Sequence, residues 1–224
     1  MKKTNGKEEK IKIDENISEK VLFSMEKMAE VIKDSVSRIR EEKIQEKVKA
    51  MIEMIFSVYG TDYRIFTTGE GRSKLAGEAF AMRLMHLGFN AYILGEPTTP
   101  GIRQDDIVIA ISGSGTTETV KKSCEIAIEE RIGAKLIVIT SKKRSILARM
   151  ADIVIDLPGR QGIISDKDYL ERTLRGDFPR LPMKTVFETN AGIFCDSVIS
   201  ELMALTKTTE EKMESQHATD RKRT

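Results

Sequence analysis

The chain is poor in the residues that most often announce chemistry, with two cysteines and two histidines in 224 residues. Cys124 and Cys195 lie inside apolar helical patterns and lack metal-ligand spacing, so they read as small core residues of a reduced, cytoplasmic protein. No apolar stretch is long enough to span a bilayer, and no apolar leader follows Met1-Lys2-Lys3-Thr4. A membrane-embedded or secreted protein is therefore not expected. Excess charge is also missing: 37 Lys and Arg against 35 Asp and Glu leave a formal net charge of +2. That balance provides neither a nucleic-acid footprint nor a polybasic membrane patch, and Arg221-Lys222-Arg223 reads as a solvated tail.

What is present is a soluble composition, 40% apolar and 32% charged, long enough for one α/β domain with appendages. Its centre is Ser112-Gly113-Ser114-Gly115-Thr116-Thr117-Glu118. The apolar run Ile107–Ile111 before it reads as a buried parallel strand, and Val120, Cys124, Ala127 and Ile128 after it recur at helical spacing. Strand, Gly- and hydroxyl-rich loop, then helix is the layout of an anion cradle, because glycines permit a tight turn and the first helical N–H groups lack partners. An N-cap with a turn uses the same residue types, so this loop alone leaves both readings open. The Walker ending and the dinucleotide fingerprint are both absent.

Residues 1–12 are too polar to order and are expected to fray. Ile17 to Ile39 and Ile44 to Val58 carry apolar residues three and four apart, which predicts two amphipathic helices or one long broken helix. Such a pair must cover the following domain or a second subunit. Strands are predicted at Tyr63–Thr68, Asn90–Leu94, Ile107–Ile111, Lys135–Thr140 and Ile153–Leu157. Helices are predicted from Leu75 to Leu87, from Thr116 to Ile132, from Ser145 to Met150 and from Thr185 to Leu205. Gly69-Glu70-Gly71-Arg72-Ser73 is a second glycine loop between strand and helix, and two such loops on one sheet converge where open α/β sheets bind ligands. The long connection Pro158–Lys184 reads as functional or mobile. Beyond Lys207 the chain is polar apart from Met213 and His217. These readings divide the chain into a helical extension (1–60), an α/β domain (61–207) and a polar tail (208–224).

Taken in order, Gly69–Ser73, Ala81–Phe89, Gly95-Glu96-Pro97-Thr98-Thr99-Pro100 and Ser112–Glu118 resemble the sugar isomerase (SIS) domain, and within it the 6-phospho-3-hexuloisomerases. The resemblance runs from about Tyr63 to Leu205. It implies a three-layer α/β/α sandwich around a five-stranded parallel sheet, assembled as a homotetramer. The reaction implied is interconversion of D-arabino-3-hexulose 6-phosphate and D-fructose 6-phosphate, with no metal or cofactor. The family's phosphate contacts carry over to Ser112, Gly113, Ser114 and Thr117, and its sugar-side loop to Gly69 and Ser73.

Moving a carbonyl between C3 and C2 through an enediol needs a base that reaches both carbons. The resemblance gives that role to Glu188, although an acid at a helix start also complements the helix dipole. A histidine is suited to shuttling the hydroxyl proton. His217 matches the family histidine but has divergent neighbours, while His86 reads as a packed helix residue. Arg72 faces the sugar or phosphate, or pairs with Glu70 or Glu118. Arabinose-5-phosphate or sedoheptulose-7-phosphate isomerases are competing enzymes of the same domain class. A sugar-phosphate sensor would need a DNA-reading helix-turn-helix, whereas the stretch before Gly60 reads as two long seams without an intervening turn.

Overall fold

The computed structural model describes residues 16–129, 131–159 and 185–215. Five strands, β1 (Arg64–Gly69), β2 (Asn90–Ile93), β3 (Ile107–Ile111), β4 (Lys135–Thr140) and β5 (Ile153–Asp156), form one sheet in the order β2-β1-β3-β4-β5. Every pairing is parallel. All five predicted strands are present within a residue or so of their expected ends. They were legible because a parallel strand covered on both faces must be apolar throughout, as β3 is, with all of its residues buried.

The strand side chains alternate between two cores. Ile65, Ile107, Ile109, Ile111, Ile137 and Ile139 face α2 (Glu42–Ser57), α3 (Arg72–His86) and α6 (Thr185–Thr206). Phe66, Val108, Ala110, Leu136 and Val138 face α4 (Glu118–Ile128) and α5 (Ile146–Met150). The result is the expected three-layer α/β/α sandwich. Cys124 and Cys195 are buried free thiols. Burial pushes the Cys124 thiol up to about 12 and raises that of Cys195 as well, so both are packing groups rather than nucleophiles.

The helix after the central loop is shorter than its apolar spacing predicts. Thr116 and Thr117 stay outside α4, with Thr117 in extended backbone. At the other end Glu129 turns extended, and the amides of Gly133 and Ala134 satisfy the carbonyls of Glu129 and Ala127. Before the sheet, α1 (Ile17–Ile39) and α2 are separate helices that break at Arg40 and Glu41, where no intervening turn was expected. At 23 and 16 residues they are long for a helix-turn-helix. The two differ in what they cover. α2 sinks Met51 and Ile55 completely into the core, whereas α1 leaves Ile17, Val21, Leu22, Phe23 and Met25 more than half exposed. After α6, Lys207 takes a positive φ and the chain folds back into a short helix, α7 (Glu210–Ser215), which buries Met213. The expected fraying of residues 1–12 and most of the long connection from Pro158 lie outside the described residues. Among the described residues, no helix is long and apolar enough to cross a membrane.

Candidate functional site

The strand order reverses direction between β1 and β3, the point where an open parallel sheet leaves a crevice at its carboxyl edge. The two glycine loops leave the sheet at that point, because Gly69 ends β1 level with Ile111 at the end of β3. The loops are also tied together. The Thr119 hydroxyl donates to Glu70 at 2.9 Å across the crevice.

The loop Ser112–Thr117 gathers its hydroxyls. Ser112 Oγ and Ser114 Oγ lie 3.2 and 3.5 Å from Thr117 Oγ1. Ser112 Oγ also accepts from the Gly115 amide at 3.2 Å, and Ser114 Oγ from the Thr116 amide at 3.3 Å. Side-chain acceptors thus hold the turn open while the α4 N-terminus behind it supplies partial positive charge. From below, the Gly113 carbonyl accepts from the Ser141 amide at 3.2 Å, the Ser141 hydroxyl at 2.7 Å and the Thr140 hydroxyl at 3.4 Å. From above, the loop is covered by α6: a Cβ at residue 113 would stand 2.8 Å from the Phe187 ring. The other loop has a similar restriction, since a Cβ at residue 69 would meet the backbone of Ser73 and Lys74 at 2.8 Å. Glycine at both positions is a matter of space, not only of turn geometry.

Next to Phe187 stands Glu188, in the first turn of α6. Its side chain is 9% exposed, and Oε2 lies 3.0 Å from Nε of Arg72, which begins α3. Oε2 is fully buried without a well-aligned hydrogen bond, so the attraction to Arg72 is chiefly Coulombic. Arg72 also donates through Nη1 to the Thr185 hydroxyl at 3.3 Å. The local partners foreseen for Arg72 are thereby corrected: Glu70 goes to Thr119, and Glu118 pairs with Lys121 at 2.8 Å. Both alternatives were nearer in sequence than Glu188, but α3 packs on α6 and brings the more distant acid closer in space.

Gly69, Ser73, Ser112, Gly113, Ser114, Thr117 and Glu188 therefore belong to one crevice, bounded by the β1 loop, the β3 loop and the start of α6. Ser73 is buried in the first turn of α3. His86 is buried in the last turn of the same helix, and His217 lies outside the described residues. Three contributors went unnoticed in the sequence: Thr185, Ser141 and Phe187. For Ser141 there was a signal, since it follows β4 directly as Ser112 follows β3. Among the described residues, no group of His, Cys, Asp and Glu has the arrangement of a metal site.

The model of the SIS domain family matches residues 59–166. The 3-hexulose-6-phosphate isomerase of Methylomonas aminofaciens is 37% identical over 166 residues, covering 74% of this chain and 85% of its own. That of Methanocaldococcus jannaschii is 41% identical over 140 residues, covering 62% of this chain and 67% of the relative. A solved structure from Methanococcus jannaschii, for which a 3-hexulose-6-phosphate isomerase function was inferred, superposes with a TM-score of 0.69 at 32% identity, over 87% of this chain and 97% of that one. With motifs, sheet order and relatives in agreement, the chain belongs to the SIS domain family.

Proposed function

We propose that this protein is a phosphosugar isomerase that interconverts D-arabino-3-hexulose 6-phosphate and D-fructose 6-phosphate. The observation that carries this reading is the meeting of an uncharged hydroxyl loop with a single, nearly buried carboxylate at the switch point of the sheet. The loop Ser112–Thr117 takes the phosphate through the hydroxyls of Ser112, Ser114 and Thr117 and the Gly113 backbone. These are directional donors without fixed charge, which suits a group that must also leave. Gly69 and Ser73 border the sugar.

Glu188 removes the C2 proton of the ketose, and the electron pair left behind forms the C2–C3 double bond of an enediolate as the C3 carbonyl oxygen gains charge. A proton then passes between O2 and O3, and Glu188 returns its proton to C3, leaving the carbonyl at C2. Arg72 fixes the carboxylate in place, and its remaining N–H groups are donors for the enediolate oxygen. His217 is the shuttle between O2 and O3. The exposed apolar side of α1 supports assembly with further copies as a homotetramer, and a cytoplasmic site of action accords with two buried free thiols.

Proton exchange at C3 of fructose 6-phosphate in heavy water tests the reading. Wild type is expected to exchange, and Glu188→Gln to exchange hardly at all. A wild type that turns over a five- or seven-carbon phosphosugar but not fructose 6-phosphate would replace the substrate. Equal exchange by wild type and variant would remove Glu188 from the mechanism.

A further inference from the structure

The loop that leaves β4 carries Lys142, Lys143 and Arg144 in succession, all exposed. They line a cleft of about 470 Å³ together with Ser114 and Thr116 of the phosphate loop and Asp156 at the end of β5. Asp156 is half-buried. Burial pushes its carboxyl above the ordinary carboxylate range, Glu41 adds to this, and Lys143, Lys47 and Arg38 oppose it. Cations from α1, from α2 and from the β4 loop thus face the same region and outnumber its carboxylates. A chain whose net charge is only +2 concentrates positive charge here.

The isomerisation does not account for this concentration, since the phosphate loop uses hydroxyls and amides. Nor does the size of the cleft suit a lone phosphate, for it lies within the range of about 300–1,000 Å³ typical of small organic ligands. We infer that the cleft is a second binding site, for a small organic polyanion bearing at least two phosphoryl groups, and that its occupancy opposes phosphosugar binding at the adjacent loop. Lys142, Lys143 and Arg144 take the phosphoryl groups as charged donors. The Asp156 carboxylate accepts from hydroxyl groups on the organic part of the ligand. The opposition rests on the reading of Ser112–Thr117 as the phosphate site: the two ligands share Ser114, whose hydroxyl is 3.5 Å from Thr117 Oγ1, and their like charges repel.

Calorimetric titration of the full chain with inorganic triphosphate, and separately with inorganic phosphate, tests the site. Triphosphate is expected to bind roughly ten-fold or more tightly than phosphate, and to lose roughly ten-fold or more in the doubly substituted Lys142→Glu, Lys143→Glu protein. The neutral pair Lys142→Gln, Lys143→Gln should fall between. Without triphosphate, the neutral variant should turn over phosphosugar within about two-fold of wild type, since neither lysine belongs to the isomerisation site. Equal affinities for phosphate and triphosphate, or undiminished triphosphate binding in both variants, would overturn the site. Parallel titrations with a nucleoside triphosphate and a hexose bisphosphate separate the two organic sources, and the one that exceeds the inorganic probe is the ligand class. If neither exceeds it, the organic ligand is overturned. Triphosphate should raise the KM for phosphosugar in wild type and leave it unchanged in the charge-reversed variant, and an unchanged wild-type KM would overturn the opposition. Calorimetry needs no turnover, so a failed site and a failed isomerase assignment give different results.

Discussion

The loops that leave β3 and β4 stand side by side, yet one is made of hydroxyls and glycines and the other of three consecutive cations. The first is held from both sides, by the Thr140 and Ser141 donors below and Phe187 above. The second is exposed, and Arg144 contributes its carbonyl to the Arg149 side chain while its own side chain stays at the cleft. Fixed dipoles give a defined position, whereas flexible charges give attraction at a distance. A site that must place C2 within reach of a base needs position; a site that only holds an anion needs attraction.

The largest effect should come from removing the chemistry while leaving both loops intact: Glu188→Gln is expected to slow C3 exchange on fructose 6-phosphate by about 10²–10⁴. Breaking the first loop comes next. Ser112→Ala combined with Thr117→Val removes two hydroxyl donors at about 1 kcal/mol each, and steady-state kinetics should show KM rising by roughly 30-fold with a smaller change in kcat. Gly113→Ala attacks the same loop through its packing. The new methyl stands 2.8 Å from the Phe187 ring. Urea denaturation should report a loss of about 1–3 kcal/mol, accompanied by weaker turnover.

Ionic strength sharpens the contrast without mutation: raising salt from about 50 to 300 mM should change the phosphosugar KM by less than about two-fold and weaken triphosphate binding several-fold. The smallest effect belongs to Asp156→Asn. Burial raises the folded-state pKa of this acid, so its ionised form costs stability above the folded value and costs nothing once both states are protonated below the unfolded value of 3.8. The variant should therefore melt about 1 °C higher near neutral pH, with the gain fading as pH falls towards 3.8.

The same contrast separates what was legible in the sequence from what was not. Ile107–Ile111 and Lys135–Thr140 could be read as strands because burial on both faces leaves no room for polar residues, and the Gly- and Ser-rich loop after the first marked its own end. The Arg72–Glu188 pair was not legible. It spans more than a hundred residues, and the nearer acids Glu70 and Glu118 fitted local rules equally well until α6 was laid against α3. Ser141 lay between the two cases: its position after a strand was visible, but its role required the Gly113 carbonyl to come within 2.7 Å. The helix after Glu118 was overestimated because apolar spacing continues through Ile132 while the backbone has already left the helix at Glu129.

The contact between Phe187 and Gly113 makes phosphate grip and proton abstraction parts of one gauge. Because the ring that covers the loop precedes Glu188 in the same helical turn, the anchor and the base cannot slide apart independently. The number of carbons between a substrate's phosphate and its reactive C–H is then measured against a fixed interval. A sugar of another length can be anchored or deprotonated, but not both at once without shifting the first turn of α6.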